Sequence, residues 1–176
     1  MTGVASPPDA TDGRTRRSAV VDDVVAVLGT YVALGLVGGV LWWALCEPAA
    51  FTVTGDGGIA MGEVELAKRF DPDAWYAVIA AVLGLVSGTA VTWWRSRDHL
   101  LTSGLLIVGS AVAAALMSVL GGWLGPADPS TLAATAETGA QLSAALTVDA
   151  AVTYLVWPVT VLLGALVVLW SPAAPE

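Results

Sequence analysis

The chain has 176 residues, 56% hydrophobic and 12% charged, with a mean hydropathy of +0.76, which leaves too little polar surface for a soluble domain of this size. Seven basic residues against fifteen acidic ones give a formal net charge of −8; this excludes nucleic acid as a partner, because displacing counterions from phosphates takes a basic surface. One cysteine, Cys46, excludes an internal disulfide.

Residues 1–19 read as a disordered cytoplasmic tail, since 1–13 are rich in Pro, Asp, Thr and Ser. The rest, 20–172, is expected to be one transmembrane domain. Its first uncharged stretch, residues 24–46, exceeds the about 20 residues that a helix needs to cross roughly 30 Å of hydrocarbon. Arg16-Arg17 ahead of it raises the question of an export signal. The stretch is too long for a signal core of about 7–15 residues, and Asp22 and Asp23 stand where such signals lack acids. Leu45 before Cys46 likewise argues against a lipoprotein anchor. An uncleaved first span follows, with Asp22 and Asp23 in its first helical turn.

The first outer loop, residues 47–73, is long enough to hold structure. Phe51-Thr52-Val53-Thr54, a Gly55-Asp56-Gly57-Gly58 turn and Ile59-Ala60-Met61 predict a small β-hairpin, followed by two amphipathic helical turns from Glu63 to Phe70. A lone hairpin is marginal in water, so it is expected to rest on the bundle or a partner. The turn lacks the alternating oxygen ligands and distal Glu of a calcium loop. Asp71 before Pro72 reads as an N-cap with proline at N1, opening the second span at 74–94.

The link Arg95-Ser96-Arg97-Asp98-His99 is so short that spans two and three are expected to be antiparallel neighbours, with Asp98 capping the third helix. Arg95, Arg97 and His99 are the candidates for a lipid-phosphate contact, although charges there also serve ordinary topology. The third span covers 100–124. The second outer loop, 125–149, is Ala, Thr and Ser rich and reads as mobile, with a helical portion from Ser130 to Leu146. Asp149 stands at the start of the fourth span, 150–170, in which Trp157-Pro158 predicts a kink: proline removes a donor and crowds the carbonyl of Tyr154, with Thr153 and Thr160 near enough to relieve it.

Small residues four apart mark helix-packing faces. They are Gly35 and Gly39 in the first span, Ala80, Gly84 and Gly88 in the second, and Ser110, Ala114, Ser118 and Gly122 in the third. The fourth span, with only Thr160 and Gly164 in register, is expected to pack least tightly. Orientation follows from Arg14, Arg16, Arg17, Arg95 and Arg97 on one side against Lys68 and Arg69 on the other, which predicts cytoplasmic N- and C-termini in the plasma membrane. Glu47, Asp56, Glu63, Glu65, Asp71, Asp73, Asp128, Glu137 and Asp149 then lie outside. Trp42, Trp43, Trp75, Tyr76 and Trp123 fall at outer ends and Trp93, Trp94 and Trp170 at inner ends, so every tryptophan except Trp157 is expected at an interface.

The fold class expected is therefore an all-α membrane protein, an antiparallel four-transmembrane-helix bundle with a small extracytoplasmic β-hairpin and short-helix loop. No catalytic residue, cofactor site or metal site is expected. His99 and Cys46 lie at opposite faces, and no phosphate-binding or dinucleotide-binding glycine motif occurs. No span contains the ionisable residue that proton coupling normally needs.

The sequence of Leu41-Trp42-Trp43, Thr54-Gly55-Asp56-Gly57, Asp73-Ala74-Trp75-Tyr76-Ala77, Trp93-Trp94-Arg95, Leu124-Gly125-Pro126 and Val156-Trp157-Pro158 resembles an actinobacterial family of small membrane proteins of unknown function, some of them labelled ABC transporter permeases. The resemblance covers roughly residues 34–170. It implies four membrane helices and supplies no functional residues, and the five-residue inner link leaves no room for a coupling helix. Two functions of different class are consistent with these features. One is a non-enzymatic envelope scaffold or accessory subunit docking a membrane or secreted protein through Asp56, Glu63, Glu65, Trp157 and Pro158. The other is a small oligomeric channel or transporter component, built as a homo-oligomer. The lipid bilayer is a partner of both.

Overall fold

A computed structural model describes residues 10–56, 58–94 and 99–171; the side chains of 10–20 and of His99 fall outside the description. In chain order the elements are α1 (Ala10–Leu45), β1 (Ala50–Val53), β2 (Ile59–Ala60), α2 (Glu63–Lys68), α3 (Asp71–Trp94), α4 (His99–Leu124), α5 (Pro129–Ala133), β3 (Gln141–Ser143), a 3-10 turn (Ala151–Leu155) and α6 (Val156–Trp170). Four helical segments are long and apolar enough to cross a membrane. They form a four-span helical membrane bundle carrying a small antiparallel sheet. Consecutive spans alternate in direction, so the two long loops share one end, here called the cap.

α1 has 36 residues and at 1.5 Å per residue is about 54 Å long, well beyond the hydrocarbon thickness. It begins at Ala10, so residues 10–19 are helical where the sequence suggested a tail; residues 1–9 lie outside the described residues. Asp22 and Asp23 consequently sit inside the helix rather than in its first turn. Asp98, expected to cap α4, also lies outside the description.

The helices pair in an order that the chain connectivity does not suggest. α1 packs along α4 and α3 along α6, while α4 meets α6 and α1 meets α3 less extensively. The ring order is thus α1, α4, α6, α3, and α3 and α4 lie across the diagonal, barely touching. The expectation that the short link makes them neighbours is corrected by the packing surfaces. Gly35 and Gly39 lie against the backbone of α4 at Ala113 and Met117. Gly84 and Gly88 lie against Trp157, Thr160 and Val161 of α6, and Gly164 answers them against Leu85 and Thr89 of α3.

That contact also overturns the expectation of a loosely packed fourth span. A Cβ on Gly88 or Gly164 would collide with backbone of the facing helix. The close approach brings Thr160 Oγ1 to 3.4 Å from the Ala80 carbonyl and Thr89 Oγ1 to 3.4 Å from that of Gly164, each while also bonding its own helix at 2.8 Å. α6 buries Trp157, Val161, Gly164, Ala165 and Val168, a stripe with helical periodicity.

Pro158 interrupts no hydrogen bond of α6. Its helix starts at Val156, which puts Pro158 in the first turn, where the amide has no intrahelical acceptor to lose. The chain ahead takes the tighter 3-10 form, with Val156 N donating to Thr153 O. Thr160 accordingly bonds Val156 and Trp157 carbonyls rather than that of Tyr154.

At the cap, β1 pairs antiparallel with β2 (Thr52 opposite Ala60, Val53 opposite Ile59), forming the expected hairpin, and α2 follows it. β3 adds to the other edge of β1, with Phe51 opposite Leu142. The second loop is thus tied into the sheet through Gln141–Ser143, and the helix expected over 130–146 shrinks to α5. Asp128 caps α5, accepting from Ser130 N at 2.9 Å. After it, Gly139 turns the chain at φ +89° and donates its N–H to Val53 O at 2.8 Å. Ala-rich composition favours helix, but the open edge of β1 offers a ladder that a free helix cannot. At the start of α3, Ala74 N donates to Phe70 O; Phe70 thus takes the cap position expected of Asp71, and Pro72 follows at the second helical residue.

Gly88→Val is expected to destabilise the bundle by about 1–3 kcal/mol through overpacking, read as chemical unfolding in detergent. Gly104→Val, with open space around its Cβ, should be near neutral; equal effects would refute the assigned contact.

Candidate functional site

Beneath the cap lies a buried aromatic row. Trp42 donates Nε1–H to Pro72 O at 2.8 Å, which ties the end of α1 to the first turn of α3. Its ring meets that of Tyr76 edge-on, 5.4 Å between centroids, and Tyr76 meets Tyr154 at 5.6 Å, both within the favourable range for aromatic pairs. Tyr76 donates to Ala114 O at 2.7 Å and Tyr154 shares a 2.9 Å hydrogen bond with Ser118. The row thus joins all four spans.

Trp42 and Tyr76 are fully buried, correcting their expected place at the lipid interface. The other end-region tryptophans, Trp43, Trp75, Trp93, Trp94, Trp123 and Trp170, are exposed, as interfacial rings should be. What admits the buried rings is glycine on α4: a side chain at Gly121 would strike Trp42, and one at Gly109 would strike Tyr31. Spacing alone could have pointed to them, since Gly109, Ala113, Met117 and Gly121 form a second stripe on α4.

The far edge of the Trp157 ring reaches Gly38 of α1, where Leu83 and Met117 also converge. Trp157 is fully buried, and among the described residues its Nε1–H has no hydrogen-bond partner. Placed so, it presents no surface to a partner, and Pro158 is half-buried behind it. Leu106 and Met117 are also fully buried in this core.

The acidic docking candidates separate by role. Asp56 closes its own turn, accepting from Thr54 Oγ1 and, at 3.3 Å, from Gly58 N. Glu65 accepts from Ala50 N at 2.8 Å and pairs with Lys68 at 3.1 Å, so it fastens α2 to β1. Glu63 is exposed at the start of α2. Asp73 accepts from Ala150 N at 3.2 Å and joins α3 to the entry of α6. Exposed carboxylates on the cap are Glu47, Asp56, Glu63, Asp128, Glu137 and Asp149. The lipid-phosphate candidates Arg95 and Arg97 lie outside the described residues, as does the side chain of His99. Among the described residues no group of three metal-ligating side chains comes together.

A feature the sequence did not suggest is a cleft of about 270 Å³ on the cap, with Arg69 and Asp149 on its lips and Phe51, Met61, Pro72 and Pro129 among its walls. The two charged groups belong to different loops, which is why no motif announces them.

No family model, curated protein or solved structure matches the chain.

Trp42→Phe and Tyr76→Phe each remove one buried hydrogen bond and should each cost about 0.5–1.5 kcal/mol. Because the rings touch, the double variant should depart from additivity, as measured by unfolding in detergent. A strictly additive double would separate the two residues energetically.

The hydrogen bonds from Thr54 and Gly58 hold the Asp56 carboxyl below its ordinary value. The folded pKa is lowered, so the contribution is complete above the unfolded pKa and lost as pH falls through the folded one. Amide resonances of Gly58 and Ile59 should therefore hold native shifts where a free aspartate is half protonated and move only at lower pH. In Asp56→Asn that titration should vanish; a turn that titrates at the ordinary aspartate value would contradict the assignment.

Proposed function

We propose that this protein is a non-enzymatic scaffold or accessory subunit of the plasma membrane, with both termini cytoplasmic, that docks another membrane or secreted protein on its acidic cap. The observation that carries this reading is the joining of both long loops in one sheet, order β2-β1-β3, with exposed carboxylates around it. A loop kept only as a connector does not need to be ordered, and ordering each residue costs roughly 1–2 kcal/mol of backbone entropy. A shaped cap on which exposed carboxylates outnumber Lys68 and Arg69 is suited to a partner with a basic face, whose encounter it would steer and whose register it would select.

The bundle is read as the support for that cap. Trp42, Tyr76 and Tyr154 hold its base through hydrogen bonds and ring contacts that join all four spans. Trp157 is removed from the docking surface by its burial and Pro158 by its place within the fourth span, and Glu65 is assigned to cap integrity.

Thr138→Cys supplies an exposed thiol on the cap, while the native Cys46 is buried. A membrane-impermeant thiol crosslinker applied to intact cells should give a discrete protein adduct. Adding Glu47→Gln, Glu63→Gln and Glu137→Gln should lower its yield about tenfold. An adduct insensitive to the three substitutions would refute charge-guided docking, and one seen only after permeabilisation would refute the orientation.

A further inference from the structure

We propose that the cap cleft holds the headgroup of a zwitterionic phospholipid bearing a primary ammonium, with the phosphate on Arg69 and the ammonium on Asp149. Three chain crossings place the cleft at headgroup depth. Pro72 is in the first turn of α3, Pro129 follows the end of α4 by a few residues, and Asp149 stands two residues before the start of the 3-10 turn that leads into α6. The lining combines what such a ligand requires, apolar Phe51 and Met61 together with charged Arg69, Asp128 and Asp149.

The charges are held apart in a manner that leaves them available. Arg69 Nε stands 3.9 Å from Asp149 Oδ2, and both side chains are more than half exposed. A pair so long and so wet contributes little to stability, so a ligand can open it at little cost. The other Asp149 oxygen already accepts from Thr147 Oγ1 at 3.1 Å, and Asp128 Oδ1 accepts from Ser130; the acidic side of the cleft is thereby fixed in place. A guanidinium is the side chain best shaped for phosphate. With two carboxylates facing that single guanidinium, a phosphate without its own cation would be repelled, and this favours a zwitterion over an anionic lipid. Arg69 and Asp149 come from different loops, so the site exists only because β3 joins the sheet and brings the second loop against the first.

The test is native mass spectrometry of delipidated full-length protein offered phosphatidylethanolamine, its N-trimethylated counterpart phosphatidylcholine, or phosphatidylglycerol. The primary-ammonium lipid should be retained about tenfold over each of the others. Asp149→Asn should remove the preference over phosphatidylcholine, and Arg69→Gln should weaken binding of both zwitterions. Met61→Trp, which fills the cleft without altering a charge, should reduce retention while the near-ultraviolet circular dichroism of the Trp42 and Tyr76 row stays native. Equal retention of phosphatidylglycerol, or unchanged lipid binding in all three variants, would overturn the proposal. Competition by soluble phosphoethanolamine as effective as by the lipid would overturn its assignment to a membrane headgroup.

Discussion

Helices in a bilayer gain little by burying apolar side chains against one another, because lipid tails are as apolar as leucine; association must come from close contact and from hydrogen bonds. The bundle meets this constraint where α3 and α6 meet. Gly84 and Gly88 receive the backbone of α6, Gly164 receives that of α3, and Thr89 and Thr160 reach across once the backbones are near enough. The pairing of α1 with α4 repeats the solution through Gly35 and Gly39, with Gly109 and Gly121 additionally making room for whole aromatic rings. These two pairs fix the ring order, and ring order decides which loop residues can meet at the cap.

The cap depends on the bundle through three side chains. Trp42 bonds the Pro72 carbonyl, Tyr76 bonds that of Ala114, and Asp73 accepts from Ala150, so the ends of α1, α3 and α6 are held in one arrangement. With the ends held, β1 and β3 start from strand-compatible positions and the sheet has a short loop-closure cost. An isolated hairpin of this size would be marginal; anchored at its base and extended by β3, it is a defined surface.

Elements encoded by local periodicity were legible in the sequence: four apolar spans, the hairpin around Thr54 to Gly58, the short α2 and the glycine faces of α1 and α3. Features decided by tertiary choice were not. A short link fixes that α3 and α4 run antiparallel but says nothing of whether a better glycine surface lies elsewhere, and α6 supplied one. Trp42 and Tyr76 have the chemistry of interfacial residues, and the space at Gly121 for Trp42 and the carbonyls of Pro72 and Ala114 that the two side chains reach turn them inward. β3 has a weak local signal in Gln141-Leu142-Ser143, because its stability is the ladder with β1. Pro158 was legible as a proline but not as a first-turn proline, since the change from 3-10 to α geometry at Val156 has no sequence marker. Of the site, the acidic residues were visible, while their division into Asp56 and Glu65 as structural ties and Glu63 as exposed charge required the hydrogen bonds. The Arg69 and Asp149 cleft was invisible because its parts are 80 residues apart in sequence.

The absence of ionisable side chains from the apolar cores of α3, α4 and α6 bears on where selection on charge can act. A charge in a span costs about 2.5–3.5 kcal/mol on insertion scales, and nothing in these helices offsets that. The acids are instead placed where each has either solvent or a donor: Asp56 with Thr54 and Gly58, Glu65 with Ala50 and Lys68, Asp128 with Ser130, Asp149 with Thr147. Carboxylates satisfied in this way serve the cap's shape first and its field second. Glu47, Glu63 and Glu137 are exposed and take no part in those ties, so neutralising them changes the field while the shape stands. Shape and field can therefore be varied independently in this protein, and a partner's response to each separates recognition by charge from recognition by surface.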